Sequence, residues 1–223
     1  EAPIPKPNQD IVCLGINYAE HAAESKRYKK EAFSNCEDYA VYFSKRVNRA
    51  TADGDDIISH SDIISTLDYE SELAVIIGKD AKNVEADKVS DYIFGYTIIN
   101  DVTARELQTR HNQWYFGKGL DGFTPMGPWI VTADEIEFPP KLNVKCYVNG
   151  ELRQNSSTDK FIHTITDVMT ELTKGMTLET GTIISTGTPS GVGMGFVPPK
   201  FLSSGDEVVC EIEKIGKITN KVK

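Results

Sequence analysis

The sequence is short of several features that would fix its class at once. Four cysteines, Cys13, Cys36, Cys146 and Cys210, are scattered through 223 residues without a paired spacing. That argues against a zinc cluster or a disulfide framework and places the chain in a reducing cytoplasm. Long apolar runs are missing. Stretches such as Val75–Ile77 fall far below the ~20 residues of a membrane span, and no basic-then-apolar leader opens the chain. Positive charge is in deficit, with 24 Lys and Arg against 33 Asp and Glu and a net charge of −9. Such a balance disfavours a nucleic-acid backbone as partner and leaves metal cations and small molecules. Internal repeats, low-complexity tracts and a Pro/Gly/Ser linker are absent too, so residues 1–223 read as one domain. With 39% hydrophobic residues the chain can build one sizeable core, which excludes disorder.

What is present is mostly strand. Ile11–Gly15, Tyr39–Ser44, Asp68–Gly78, Ile93–Asp101, Pro128–Thr132, Leu142–Val148, Thr182–Thr186 and Val208–Ile212 alternate or run apolar at strand length, and Asn149-Gly150 marks a hairpin turn. Helices are expected at Tyr18–Tyr28, at Thr103–Asn112 with Thr103 as cap, and at Phe161–Lys174. In the last of these Ile162, Ile165, Val168, Met169 and Leu172 form a stripe that Gly175 ends. The fold class is therefore mixed α+β and strand-dominated, since a doubly wound parallel sheet needs helices that are not there.

Acids concentrate in two places. In Leu67–Gly78 a continuous strand puts Asp68, Glu70 and Glu72 on one face, with Cα atoms roughly 6.6 Å apart along it. Three carboxylates so placed repel unless they share a cation or stand in water. Taken alone, the segment suits a solvated acidic edge better than a metal site. The second is Gly95–Gln108, where a strand runs into a helix and Asp101 sits at the junction. If the helix begins there, Asp101, Arg105 and Gln108 share a face as i, i+4 and i+7, combining a metal-binding carboxylate with a two-pronged carboxylate clamp and an amide. An Arg105–Asp101 salt bridge at a helix start is an equal reading.

Other candidates are less specific. His21 and Glu24, i and i+3 on a helix, can pair as a base and its orienting carboxylate, although such pairs usually lie on surfaces. Lys118 is set among aromatics and glycines in Trp114–Phe123, and a solvated loop lysine is the plain alternative. Gly187–Gly195 holds Thr188 in a glycine-rich stretch that lacks both nucleotide-loop spacings. It reads as a loop lining a pocket, with Thr188 as a donor.

Together, Asn17-Tyr18-x-x-His21-x-x-Glu24, Asp68-Tyr69-Glu70-x-Glu72-Leu73, Gly95-Tyr96-x-x-x-Asn100-Asp101-x-x-x-Arg105-x-x-Gln108, Lys118, Pro125-Met126-Gly127-Pro128, Asn149-Gly150 and Thr186-Gly187-Thr188-Pro189-x-Gly191-Val192-Gly193 resemble the fumarylacetoacetate hydrolase family, in its order and over nearly the whole chain. The resemblance implies a β-roll of mixed sheets and a homodimer. It makes Glu70, Glu72 and Asp101 ligands of Mg²⁺ or Mn²⁺, with Ca²⁺ as a substitute. It makes His21 and Glu24 a water-activating dyad on a lid spanning about residues 17–40, and Arg105, Gln108, Lys118 and Thr188 substrate contacts. Asp68 is not carried over as a ligand. Longer members also carry a small N-terminal segment, which the resemblance implies ahead of Glu1. Two departures touch the lid and substrate length: Arg46 stands where the family often has proline, and Ser25–Asp38 is charged and contains Cys36.

The reaction this implies is hydrolysis of a carbon–carbon bond in a small 2,4-dioxo acid of acylpyruvate type. The divalent ion stabilises the enolate as the bond breaks, while His21 deprotonates water. Oxaloacetate decarboxylation or isomerisation of an unsaturated dioate uses the same site without an attacking water. A silent cation-binding scaffold is the remaining alternative.

Overall fold

β-Branched residues and alternating burial produce thirteen strands in the computed structural model, which describes residues 1–26, 36 and 38–223. In chain order these elements are β1 (Ile11–Leu14), α1 (Ala19–Ser25), β2 (Tyr42–Lys45), β3 (Asp56–Ile57), β4 (Leu67–Asp68), β5 (Ser71–Ile77), β6 (Ile93–Asn100), β7 (Thr103–Ala104), α2 (Arg105–Arg110), α3 (Tyr115–Lys118), β8 (Met126–Thr132), β9 (Asn143–Val148), β10 (Glu151–Ser157), α4 (Ile165–Gly175), β11 (Ile183–Ser185), β12 (Glu207–Ile212) and β13 (Gly216–Val222). A six-stranded sheet has the order β2-β1-β11-β5-β6-β8, a five-stranded sheet the order β10-β9-β12-β13-β3, and β4 pairs with β7. Both larger sheets are mixed: β1 runs parallel to β11 and β13 parallel to β3, with antiparallel pairing elsewhere. The strand-dominated α+β expectation is met.

Strand β5 shows why its sequence is apolar throughout. Leu73, Val75 and Ile77 face the five-stranded sheet and pack with Val144, Cys146, Val208 and Cys210. Ala74 points the other way, into a second cluster with Ile11, Ile99, Met126 and Ile183. A central strand buried on both faces has no polar positions to spare, and each large aliphatic side chain so buried contributes about 1.5–3 kcal/mol. The Asn149-Gly150 turn forms as expected, with φ of 50° and 79°, and joins β9 to β10.

Several expectations are corrected. Asp68–Gly78 is not one strand: β4 ends at Asp68 and β5 begins at Ser71, because Asp68 pairs with Thr103 while Ser71 pairs with Asn100. The helix expected at Thr103 starts at Arg105, and Thr103 does not cap it. Its hydroxyl donates to the Asp101 carbonyl at 2.8 Å, and Thr103 itself belongs to β7. Asp101 therefore lies ahead of the helix and shares no helical face with Arg105 and Gln108. The stripe on Phe161–Lys174 is helical only from Ile165, since Phe161 forms a β-bridge with Tyr18. Of the expected helix Tyr18–Tyr28, α1 occupies Ala19–Ser25, and its last residues fall outside the described ones. Of the charged segment Ser25–Asp38, Ser25, Lys26, Cys36 and Asp38 are described, and the remainder of that segment, part of the lid expected over residues 17–40, lies outside the described residues.

Helix α4 opens with a reciprocal cap: the Thr164 hydroxyl accepts from Asp167 N at 3.1 Å, and the Asp167 carboxylate accepts from Thr164 N at 2.9 Å. Thr164→Ala removes the acceptor of Asp167 N and leaves that donor to water, while the backbone N–H of residue 164 keeps the Asp167 carboxylate. It is expected to cost about 1 kcal/mol, seen as a melting temperature lower by roughly 2–4 °C with α4 otherwise intact by circular dichroism.

Candidate active site

The acidic cluster is built at one end of the β5–β6 hairpin. Glu70 precedes β5 and Asp101 follows β6. Their backbones are tied by Asp101 N donating to Glu70 O at 2.8 Å, while the Asn100 side chain accepts from Glu70 N at 2.9 Å. Glu72, the second residue of β5, completes the set. Carboxylate oxygens of Glu70, Glu72 and Asp101 lie within 4.8 Å of one another, and all three side chains are buried.

Buried carboxylates persist only with partners, and the partners here are unequal. Asp101 meets Lys45 at 2.7 Å and Lys118 at 2.6 Å. Glu70 meets Arg105 at 2.7 Å and Lys118 at 2.8 Å. Among the described residues Glu72 has neutral donors alone, the Ser185 hydroxyl at 2.5 Å and Gly187 N at 3.0 Å. The electrostatics follow. Burial pushes the Glu70 carboxyl up, but Lys118 and Arg105 overcome it and hold the group well below the usual range. Burial, Asp101 and Glu70 together push Glu72 well above it. Burial would lower the Lys118 ammonium, yet Asp101 and Glu70 raise it above its ordinary value. Four buried acids, counting Asp68, thus face the three cations Lys45, Lys118 and Arg105. The uncompensated one is Glu72, which faces the other two carboxylates of the set. Three convergent carboxylate oxygens with no nitrogen or sulfur among them fit a hard divalent cation.

The remaining candidates surround this set. Lys118 ends α3 and is 1% exposed, which disposes of the solvated-loop alternative. Gly117 lets α3 approach the backbone of Gln108, where any Cβ would collide. Arg105 Nη1 donates to Gln108 Oε1 at 3.2 Å, and Nε donates to Asp68 at 2.8 Å, so the anticipated Arg105–Asp101 bridge is replaced by bridges to Asp68 and Glu70. On α1, His21 Nδ1 lies 2.9 Å from Glu24 Oε2, with both side chains buried. A carboxylate only accepts, so Nδ1 carries the proton and Nε2 is the basic nitrogen. Glu24 Oε1 accepts from Gly191 N at 3.0 Å, which seats the dyad on the glycine-rich loop. Gly191 has φ +101°, and a Cβ there would overlap the Arg153 carbonyl, so both its conformation and its space require glycine. The Thr188 hydroxyl donates to Ser71 O at 3.1 Å and accepts from Gln154 at 2.7 Å.

Lys45 was not foreseen. It is fully buried and donates to Val102 O at 3.3 Å as well as pairing with Asp101. Its only signal in the sequence is a charge at the end of an otherwise half-apolar strand. Ser185, which holds Glu72, has a hydroxyl that gives no signal at all.

Comparison with known proteins places this arrangement. The family model described as fumarylacetoacetate (FAA) hydrolase C-terminal matches residues 10–223. The chain is 47% identical over 221 residues to oxaloacetate tautomerase YisK of Bacillus subtilis (strain 168), covering 99% of this chain and 72% of that protein. Among solved structures, a fumarylacetoacetate hydrolase from psychrophilic Exiguobacterium antarcticum aligns with a TM-score of 0.88 at 43% identity, covering 97% of this chain and 76% of the other. A 2-hydroxyhepta-2,4-diene-1,7-dioate isomerase from Mycobacterium marinum aligns with a TM-score of 0.81 at 36% identity, covering 99% and 76%. On the strength of a family match over nearly its full length, this chain belongs to the fumarylacetoacetate hydrolase family of enzymes.

Proposed function

We propose that the protein interconverts keto and enol forms of a small 2-oxo dicarboxylic acid of the oxaloacetate type, using a divalent ion held by Glu70, Glu72 and Asp101. The observation that carries this reading is the convergence of three buried carboxylates, one without a cationic partner among the described residues, beside a buried guanidinium. Similarity to an oxaloacetate tautomerase and a dioate isomerase supports proton transfer over carbon–carbon hydrolysis. Mg²⁺ or Mn²⁺, with Ca²⁺ as a substitute, supplies Lewis-acid stabilisation of negative charge on the 2-oxo oxygen.

The chain's own groups do the rest. Arg105, held by Asp68 through Nε and by Glu70 and Gln108 through Nη1, supplies the positive charge that pairs with a substrate carboxylate. Lys118 adds positive charge beside the 2-oxo oxygen. His21 Nε2 takes the proton from C3 and delivers it to the 2-oxo oxygen to give the enol, the reverse path giving the keto form, with Glu24 stabilising the imidazolium between the two transfers. Thr188 fixes the loop that borders the substrate. The proton transfer between C3 and the 2-oxo oxygen needs no attacking water.

Hydrolysis of an acylpyruvate is the second reading, favoured by the buried His21–Glu24 pair, which suits activation of a water. With Mn²⁺ present, ultraviolet absorbance of the enol, pyruvate release from oxaloacetate, and cleavage of acylpyruvates separate these outcomes. Rapid enol loss without pyruvate supports the proposal, and acylpyruvate cleavage as the faster reaction overturns it. A cytoplasmic homodimer belongs to the same proposal. Phe94 and Trp129, half or more exposed on β6 and the edge strand β8, support self-association, to be measured by light scattering.

Gly195 offers a graded test of the dyad. A Cβ there would overlap the Glu24 carboxylate, a movable side-chain end. Gly195→Ala is expected to displace Glu24 and lower kcat roughly tenfold or more, with little change in melting temperature. An unchanged kcat would show that Glu24 does not orient the base.

A further inference from the structure

Asp68 shares the most recognisable motif of the chain with two metal-binding candidates, yet its environment is of another kind. The carboxylate is fully buried. Oδ1 accepts from Tyr69 N at 2.9 Å and Gly193 N at 2.7 Å. Oδ2 accepts from Met194 N at 2.9 Å and Arg105 Nε at 2.8 Å. A carboxylate has about four acceptor positions, so all of Asp68's are committed to protein donors and none is left for an ion or a substrate. Gly193 is required for the approach, since a Cβ there would press on Asp68 Oδ1. The four donors come from β4's own exit, the glycine-rich loop and α2, elements far apart in sequence that all converge on this carboxylate.

We propose that Asp68 is a positioning residue: it fixes the plane of the Arg105 guanidinium for substrate and ties that clamp to the loop Gly191–Gly195 that seats Glu24. The inference rests on the function proposed above. Bound through Nε, the guanidinium cannot rotate about its last bond, and its Nη1 edge is directed between Glu70 and Gln108. Asp68→Asn keeps the shape but replaces one oxygen by an amide donor. That donor then faces Arg105 Nε–H and Met194 N–H, or Tyr69 N–H and Gly193 N–H.

The test is a kinetic cycle with oxaloacetate at saturating Mn²⁺, using wild type, Asp68→Asn, Arg105→Lys and the double variant. Arg105→Lys keeps the charge and lacks the Nε–H. Asp68→Asn is expected to raise KM roughly tenfold or more, the scale of a lost charged hydrogen bond, with Mn²⁺ affinity unchanged. In the Arg105→Lys background it is expected to add no further rise in KM. A KM left at the wild-type value, or raised by the full factor in both backgrounds, overturns the inference and leaves the proposed function standing. Wild type that neither binds nor converts oxaloacetate overturns both. Should Asp68→Asn fail to fold, Gly193→Ala keeps the carboxylate and presses a Cβ on Asp68 Oδ1 and on the Lys200 carbonyl, shifting the carboxylate from Arg105. A smaller rise in KM is then expected, and none overturns the inference.

Discussion

Asp101→Asn is expected to lower stability by about 3–5 kcal/mol, the cost of leaving buried charge without its partner. The substitution removes the negative charge that Lys45 and Lys118 share at 2.7 and 2.6 Å. Lys118 retains Glu70, but among the described residues Lys45 retains the carbonyls of Val102 and Lys118 alone. Since about 1 kcal/mol moves the melting temperature by roughly 2–4 °C at this chain length, the drop should be roughly 6–20 °C. A second effect is separate. In the wild type a divalent ion at a hundred times its Kd should stabilise the fold by about 2.7 kcal/mol. In Asp101→Asn, with a third of the carboxylate set neutral, that increment is expected to vanish at the same Mn²⁺ concentration. Calorimetric melts with and without Mn²⁺ measure both. A variant that keeps the full Mn²⁺ increment would show that the ion is not held by Asp101.

The wild-type increment should also depend on pH. Glu72 is raised above its ordinary value by burial, Asp101 and Glu70. Its folded pKa exceeds its unfolded one, so in the ion-free protein Glu72 costs stability progressively as pH rises through that window. A cation reverses the preference by favouring the ionised carboxylate, and binding then releases a proton. Mn²⁺ affinity should rise with pH over the window.

How much of this was legible in the sequence depends on whether a signal is local. Glu70, Glu72 and Asp101 stand out as acids in apolar strands, but their local pattern suits a solvated edge at least as well and it is the family resemblance that joins them; the structure brings them together. The turn at Asn149-Gly150 was readable because only such residues take positive φ twice in succession. The break between Asp68 and Ser71 was not, because it arises from Asp68 pairing with Thr103 while Ser71 pairs with Asn100, two contacts that local alternation cannot encode. The same pairing drew Thr103 into β7 and delayed the helix to Arg105. Lys45 escaped notice because a buried lysine and an exposed one look alike until Asp101 is placed beside it. Strand β13 alternates faithfully, with Ile218, Asn220 and Val222 buried, but its lysines and asparagine hid it.

His21→Ala is expected to separate the chemistries the site can support. For keto–enol interconversion the base is essential to moving the C3 proton, and its removal should lower the rate about 10²–10⁴-fold. Hydrolysis of an acylpyruvate, which needs water deprotonated by the same imidazole, should fall as far. Decarboxylation of oxaloacetate has no proton to remove before the bond breaks. It draws on charge stabilisation by Arg105, Lys118 and the bound ion, so it should fall much less. The substitution leaves the carboxylates of the acidic cluster and their cationic partners unaltered. It also leaves Glu24 bonded to Gly191 N, so Mn²⁺ binding is expected to persist and to serve as a control for folding. Enol loss and pyruvate release followed on one sample give the two rates. A large fall in the first with a small fall in the second assigns His21 to proton transfer. Equal falls with Mn²⁺ affinity intact would mean that the imidazole shapes substrate binding instead, and the dyad would lose its role as base.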